Sequence, residues 1–329
     1  RMNLPQQQTI FSIVNEVQFL ENALQIFWFQ ADNCAVYKTY LSHLKIDPSE
    51  IKSLEAIPFL PIEFFRTHAV TSQNQNPEVT FSSSGTTGIT TSQHLVTDVS
   101  WYKNSFKKGF ELFYGDIKNY AFLALLPSYL ERAGSSLIYM VKNLIAETET
   151  SNSGFYLYND EELYQKLTQL QQQNQPTVLI GVTFALLDFI EKYQLDFPEL
   201  ILMETGGMKG RRKEMIREEL HQTLCNGFGV PAIHSEYGMT ELLSQAYSLG
   251  EGLFYCVPWM KVLIRDTNDP FTLLPNGKTG GINVIDLANI NSCSFIATQD
   301  LGKIHTNGMF EVLGRFDFSD IRGCNLLIG

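Results

Sequence analysis

The sequence predicts an α/β fold in which a helix-packed parallel sheet is joined to a smaller β-rich region. Three observations lead there. Between residues 90 and 240, short apolar runs alternate with helical stretches, the order that favours parallel βαβ packing. After residue 250 the runs are short and separated by Asn-Asp-Pro, Pro-Asn-Gly and Gly-Gly turns, which suits an antiparallel sheet or small barrel. Before residue 50, apolar residues recur at helical spacing with few Gly or Pro to interrupt them.

Taken in order, Ile10, Ile13, Val14, Val17, Leu20 and Leu24 mark an apolar helical face. Residues 1–50 therefore read as a helical N-terminal cap. Pro58, Pro61, Pro77 and the Gln-Asn run near residue 74 make 55–80 a stretch of irregular connections with short strands. Ala121-Phe-Leu-Ala-Leu-Leu126, Thr177-Val-Leu-Ile180 and Leu200-Ile-Leu-Met203 read as buried strands. Helices are expected near 134–146, 160–173, 183–193 and 208–223. The resulting division is 1–50 cap, 51–249 α/β core and 250–329 β-rich subdomain with a C-terminal tail.

Composition bounds the function. A chain of 329 residues that is 44% hydrophobic can bury a substantial core. Its net charge of −11, without any Lys/Arg run, argues against nucleic acid as a partner. Arg211, Arg212, Lys213 and Arg217 alternate with Glu214, Glu218 and Glu219, a pattern that reads as a solvated helix face. Cys34, Cys225, Cys256, Cys293 and Cys324 are widely spaced and lack a C-x-x-C pair, so neither a disulfide framework nor a zinc site is indicated. No apolar run approaches the roughly 20 residues needed to span a bilayer, and no transmembrane segment or signal peptide is evident. The expectation is a soluble cytoplasmic protein.

Three stretches carry chemistry. Phe81-Ser-Ser-Ser-Gly-Thr-Thr-Gly88 offers backbone N–H groups at its glycines and hydroxyl donors from Ser83, Ser84, Thr86 and Thr87, the makings of a phosphate cradle. An ordinary surface loop has the same composition, and no Gly-Lys-Ser/Thr ending marks a Walker A loop. In Tyr237-Gly-Met-Thr-Glu241, Tyr237 could stack on a base, Thr240 could donate to phosphate and Glu241 could hold Mg²⁺. A helix N-terminus capped by Thr240 and Glu241 is the alternative. The third stretch, Gly314-Arg-Phe-Asp-Phe-Ser-Asp-Ile-Arg-Gly-Cys324, ends on a cysteine with Arg322 two residues before it. Positive charge of that kind favours a thiolate, whereas an unpaired cysteine is also among the commonest buried residues. His94, His234 and His305 could orient substrate or serve as a base, though isolated histidines are more often structural groups, and Phe106, Phe110, Phe113 and Tyr114 read as either helix packing or an acyl pocket.

The order of these stretches, with Asp300-Leu-Gly ahead of Gly314-Arg315, resembles the adenylate-forming superfamily of acyl- and aryl-CoA ligases over roughly residues 55–329. The resemblance implies the large N-terminal-domain architecture of those enzymes, with ATP and Mg²⁺ as cofactors. Ser83, Ser84, Gly85, Thr86, Thr87 and Gly88 would hold phosphates. Tyr237 would stack on adenine, with Gly206 and Gly207 forming part of its pocket. Thr240 would contact the α-phosphate, Glu241 would bind Mg²⁺, and Asp300 and Arg315 would bind ribose. Two departures stand out: Thr90 and Thr91 replace the usual Pro-Lys pair, leaving Lys209 or Arg211 to compensate, and the expected architecture is one without the usual mobile C-terminal domain and its lysine.

Leu126-Pro-Ser-Tyr-Leu-Glu-Arg132, Gly134-Ser-Ser-Leu137 and the ending Ser-Asp-Ile-Arg-Gly-Cys-Asn-Leu-Leu are similar to the acyl-protein synthetases, the LuxE-type component of bacterial fatty acid reductase complexes. That similarity implies adenylation of a fatty acid, transfer to Cys324 as a thioester, and delivery to an acyl reductase subunit. A phenylacetate-CoA-ligase-like enzyme, activating a fatty or aryl carboxylic acid and passing it to CoA or a carrier protein, and a non-catalytic nucleotide-binding subunit are the alternatives.

Overall fold

The computed structural model describes residues 4–84, 90–207 and 211–316. In chain order its strands are β1 (Leu60–Pro61), β2 (Val79–Ser82), β3 (Gln93–Val96), β4 (Ala121–Leu125), β5 (Gly154–Tyr156), β6 (Thr177–Val182), β7 (Ile201–Thr205), β8 (His234–Tyr237), β9 (Ala246–Ser248), β10 (Phe254–Cys256), β11 (Met260–Arg265), β12 (Gly280–Asp286), β13 (Phe295–Ile304) and β14 (Phe310–Arg315). The chain forms two compact units, one built from 1–105, 240–244 and 255–329, the other from 106–239 and 245–254.

The first unit is organised around β11, β12, β13 and β14, paired antiparallel in that order, with β1 parallel to β13. Antiparallel pairing after residue 250 is what the closely spaced turns require. The helix Glu16–Asn33 belongs to this unit; Asn15 caps it by accepting from Gln18 N. Its buried face is Phe19, Ala23, Ile26, Phe27, Gln30 and Ala31, a 3.6-residue stripe. That phase corrects the sequence reading: Val14 precedes the cap and Val17 faces outward, at 79% and 65% exposure.

The connection between β12 and β13 is unusual in being buried: Leu287, Ala288, Asn289, Ile290, Ser292, Cys293 and Ser294 are each at most 2% exposed. Buried backbone needs partners, and polar side chains supply them. Gln30 Nε2 donates to Asn289 O (3.1 Å) and Ile290 O (3.0 Å), while Gln30 Oε1 accepts from Ser294 N (2.9 Å). Ser72 Oγ donates to Ile290 O (2.7 Å), and Ser292 Oγ to Val70 O (2.8 Å).

In the second unit the order is β9-β8-β7-β6-β4-β5, parallel from β8 to β5, with β9 antiparallel to β8. Every residue of β4 and β6 is buried, as expected for central parallel strands covered on both faces. Helices Ser136–Glu147, Asp160–Gln172 and Thr183–Lys192 match their sequence patterns closely. The fourth helix does not: it begins at Arg217 and runs to Phe228, ending on Gly229 in the left-handed conformation (φ +67°). Residues 211–216 are not helical, so the basic patch is not a helix face. Arg212 instead pairs with Asp188 (2.5 Å) and with Glu191.

Among the described residues no helix is long and apolar enough to cross a membrane.

Candidate active site

The Ser/Gly loop springs from the β2–β3 hairpin. Ser83 N donates to Ser92 O (3.1 Å), and Ser92 N donates to Ser83 Oγ (2.9 Å), so the two serines close the stem. Ser84 is exposed beyond it, while Gly85, Thr86, Thr87 and Gly88 lie outside the described residues. Ser92 is buried and its hydroxyl also donates to the Glu241 carboxylate. The stem of the loop is thereby tied to the residue expected to bind metal, although 149 positions separate Ser92 from Glu241 (241 − 92).

Thr240 and Glu241 occupy a turn, and the chain returns to regular structure only at β9. The helix-cap alternative for this pair is therefore set aside. Glu241 is 6% exposed, and burial raises its pKa against the opposing effects of the Ser92 hydroxyl, a backbone N–H, Arg315 and Arg66. Two guanidinium groups thus bear on one buried carboxylate. Arg66 sits on the short helix Phe64–Thr67, whose Phe65 packs edge-on against His94 at 6.0 Å. Asp300 and Arg315 face each other across β13 and β14, and Arg315 Nε donates to Asp300 Oδ1 at 3.2 Å. Asp300 is buried while the Arg315 side chain is 77% exposed, free to meet a ligand from solvent.

Behind the turn lies a group of which sequence reasoning named only His94, without a partner. His94 Nδ1 bonds Thr240 O at 2.8 Å; a carbonyl only accepts, so this nitrogen carries a proton. Asn289 Nδ2 donates to Glu241 O (2.8 Å) and Cys293 O (3.1 Å), which turns Asn289 Oδ1 toward His94 Nε2 at 2.9 Å. Both ring nitrogens therefore face oxygens, yet burial drives the His94 pKa down to about 4, so the second proton is taken up only in acid. Asp286 Oδ2 accepts from Leu243 N (2.7 Å) and Ser244 N (3.0 Å), and Oδ1 from Ser244 Oγ (2.5 Å). No local motif marks Asp286 and Asn289 in the sequence.

In the second unit, the carboxyl ends of parallel strands gather the other predicted residues, the end of such a sheet where ligands bind. Gly206 and Gly207 follow β7 with φ +75° and +67°. A Cβ on Gly206 would lie 2.5 Å from the Tyr129 hydroxyl, so the Leu126–Arg132 stretch is fitted against this glycine. Tyr237 ends β8, 8% exposed, with Phe254 edge-on at 6.0 Å.

Two half-buried carboxylates stand just before these positions. Burial would raise Glu204, but His221, Ser235 and Thr183 outweigh it and hold it below the usual range. The Ser235 and Thr183 hydroxyls each donate at 2.9 Å. Glu236 Oε2 accepts from Thr205 Oγ1 (2.9 Å), and burial together with the Glu204 charge pushes its pKa up to about 7.

The remaining candidates resolve into packing. Phe110 stacks among Tyr114, Tyr120 and Phe122, and His234 Nδ1 bonds the Tyr114 hydroxyl at 2.9 Å. His305 pairs with Glu311 at 2.9 Å. Arg211 is committed to Glu131 (3.5 Å) and the Phe184 ring (4.9 Å), and Lys209 lies outside the described residues. Cys34 and Cys293 are buried, whereas Cys225 and Cys256 are half-buried rather than core. Burial raises all four thiols, Cys256 to about 12. Cys324 lies outside the described residues.

Among the described residues no group of three or more His, Cys, Asp or Glu side chains could hold a metal ion. A lone buried carboxylate such as Glu241 suits Mg²⁺, which takes one or two carboxylates and completes its shell with phosphate oxygens and water.

Comparison with known proteins bears on the fold and the family. The fold is that of adenylate-forming acyl-CoA ligases. ATP-bound MatB from Rhodopseudomonas palustris superposes with TM-score 0.55 at 17% identity, over 72% of this chain and 47% of that one. An open conformation of 2-hydroxyisobutyryl-CoA ligase with 2-HIB-AMP and CoA gives TM-score 0.71 at 11% identity, over 96% and 75% of the two chains. The chain thus spans about half the length of the MatB structures it matches. No curated protein matches it. The family model "Acyl-protein synthetase, LuxE" matches residues 14–329, and the chain belongs to the LuxE acyl-protein synthetase family.

Proposed function

We propose that this protein activates a carboxylic acid with ATP as acyl-AMP and then loads the acyl group onto its own Cys324. A carboxylate oxygen attacks the α-phosphorus, and the bond to pyrophosphate breaks. The Cys324 thiolate next attacks the acyl carbonyl carbon; a thioester forms and AMP leaves with the bonding pair. Mg²⁺ bound with the nucleotide would neutralise developing phosphate charge.

The observation that carries this reading is the Thr240–Glu241 turn, with its buried carboxylate linked through Ser92 to the stem of the Ser/Gly loop. Thr240 would donate to the α-phosphate and Glu241 would take the metal, while Ser83, Ser84, Gly85, Thr86, Thr87 and Gly88 would line the phosphates. Arg66 would supply positive charge that the loop lacks at Thr90 and Thr91. Asp300 and Arg315 would hold ribose; Tyr237, Gly206 and Gly207 would frame adenine. Cys324 is favoured as acceptor because burial disfavours the thiolate, the attacking species, at the four described cysteines. The acid is proposed to be a fatty acid, and the thioester to serve an acyl reductase subunit.

Intact-protein mass spectrometry after incubation with ATP, Mg²⁺ and a panel of fatty and aryl acids tests this. An acyl-sized gain that vanishes in Cys324→Ser is expected. AMP formation with no covalent gain would move the acceptor to CoA or a carrier protein, and absence of pyrophosphate exchange with every acid would sink the enzymatic reading.

A further inference from the structure

We propose that His94, Asn289 and Asp286 are positioning residues that clamp the Thr240–Ser244 segment by its backbone and so set where Thr240 and Glu241 present their side chains. The inference rests on the adenylation reading for its kinetic consequence, but not for its geometry.

Side chains that must meet a phosphate and a metal gain nothing from a floppy turn, because a misplacement of about 1 Å can cost about 100-fold in rate. Turns without helix or strand partners need their backbone groups satisfied from elsewhere. Here the groups come in series: Thr240 O from His94, Glu241 O from Asn289, Leu243 N and Ser244 N to one oxygen of Asp286. The side chains of Thr240 and Glu241 take no part in these backbone bonds; the Glu241 carboxylate accepts instead from Ser92. Asp286 ends β12 and Asn289 lies in the buried connection that follows, which Gln30 and Ser72 hold by its carbonyls and which Ser292 ties to Val70 O. His94 stands on β3 two residues past Ser92, which directly precedes the strand, so adjacent positions at the start of β3 hold both the carbonyl of Thr240 and the carboxylate of Glu241. The clamp therefore ties loop stem and turn to one rigid support.

The test compares pyrophosphate exchange in the full chain carrying His94→Leu or His94→Asn. Leucine fills the space without a donor; asparagine places its amide N–H near the Nδ1 position. His94→Leu is expected to lower exchange kcat by about 100-fold with KM for ATP changed less than about threefold, as for an interaction realised in the transition state. His94→Asn is expected to recover about tenfold of that loss. A folded His94→Leu protein with wild-type kcat, or no difference between the two variants, would overturn the proposal. Hydrogen exchange on the wild type tests the geometry separately: the Leu243 and Ser244 amides should be as protected as those of β12, and rapid exchange there refutes the clamp even if a variant fails to fold. If the wild type shows no pyrophosphate exchange, the functional reading falls while protection of those amides still upholds the clamp.

Discussion

Glu236 offers a sharp physical test, because its environment holds it between two charge states near neutrality. It is half-buried beside Glu204 and its carboxyl pKa rises from 4.5 to about 7. In the unfolded chain it ionises at the ordinary value, so between pH 4.5 and 7 the folded state binds the proton more tightly. Its contribution is fully present below pH 4.5 and is lost as pH rises to about 7. A difference of 2.5 units at 1.36 kcal/mol each sets the loss at no more than about 3 kcal/mol. Glu236→Gln keeps an acceptor for Thr205 Oγ1 and removes the titration. The variant should therefore gain up to about 3 kcal/mol over wild type at pH 8 and almost nothing at pH 4.5. At about 2.1 cal/mol/K of unfolding entropy per residue, over 329 residues, that is a Tm rise of about 4 °C. His94 works in the opposite sense: its folded pKa of about 4 lies below the usual 6.5, so stability falls as pH drops through that window. The two nearly cancel in the wild-type profile, and only the difference between variant and wild type isolates Glu236. Differential scanning calorimetry from pH 4.5 to 8 measures it. A stability difference independent of pH would refute the buried-carboxyl argument.

Two further outcomes follow from the site. Gly206→Ala puts a Cβ at φ +75° and 2.5 Å from the Tyr129 hydroxyl; it should destabilise the fold by about 1–3 kcal/mol, read by urea unfolding, and weaken nucleotide binding, read by calorimetric titration. Arg66→Gln removes one of two cations acting on Glu241; it should raise KM for ATP about tenfold or more, a charge-assisted contact of about 1.5–3 kcal/mol, in a pyrophosphate-exchange assay, whereas Arg211→Gln, whose partners are Glu131 and Phe184, should leave that KM unchanged.

How far the sequence reached differs from element to element. Alternation of apolar runs and helical stretches located β4, β6 and β7 within a residue or two, because central parallel strands are uniformly apolar and helices repeat at 3.6 residues. Residues 208–223 misled for a local reason: charged residues at helical spacing also suit an extended segment whose Arg212 is claimed by Asp188 and Glu191 from another helix. Val14 misled because a residue ahead of an N-cap need not share the phase of the helix behind it, and Val17 because it lies in the first turn on the outward side of the buried stripe.

For the site, the sequence by itself determined the residue types that chemistry demands in contiguous runs: the Ser/Gly loop, Tyr237 through Glu241, the Gly206–Gly207 pair and the family to which they belong. Only the tertiary structure decided what stands around them. Ser92, His94, Arg66, Asp286 and Asn289 come to the Thr240–Glu241 turn from three separate places in the chain, and the near-neutral pKa of Glu236 exists only once Glu204 and partial burial are brought to it. The physical reason is range. A motif records groups that act on a ligand through neighbouring positions, whereas burial, hydrogen-bond partnership and charge act through space, and folding alone sets those distances.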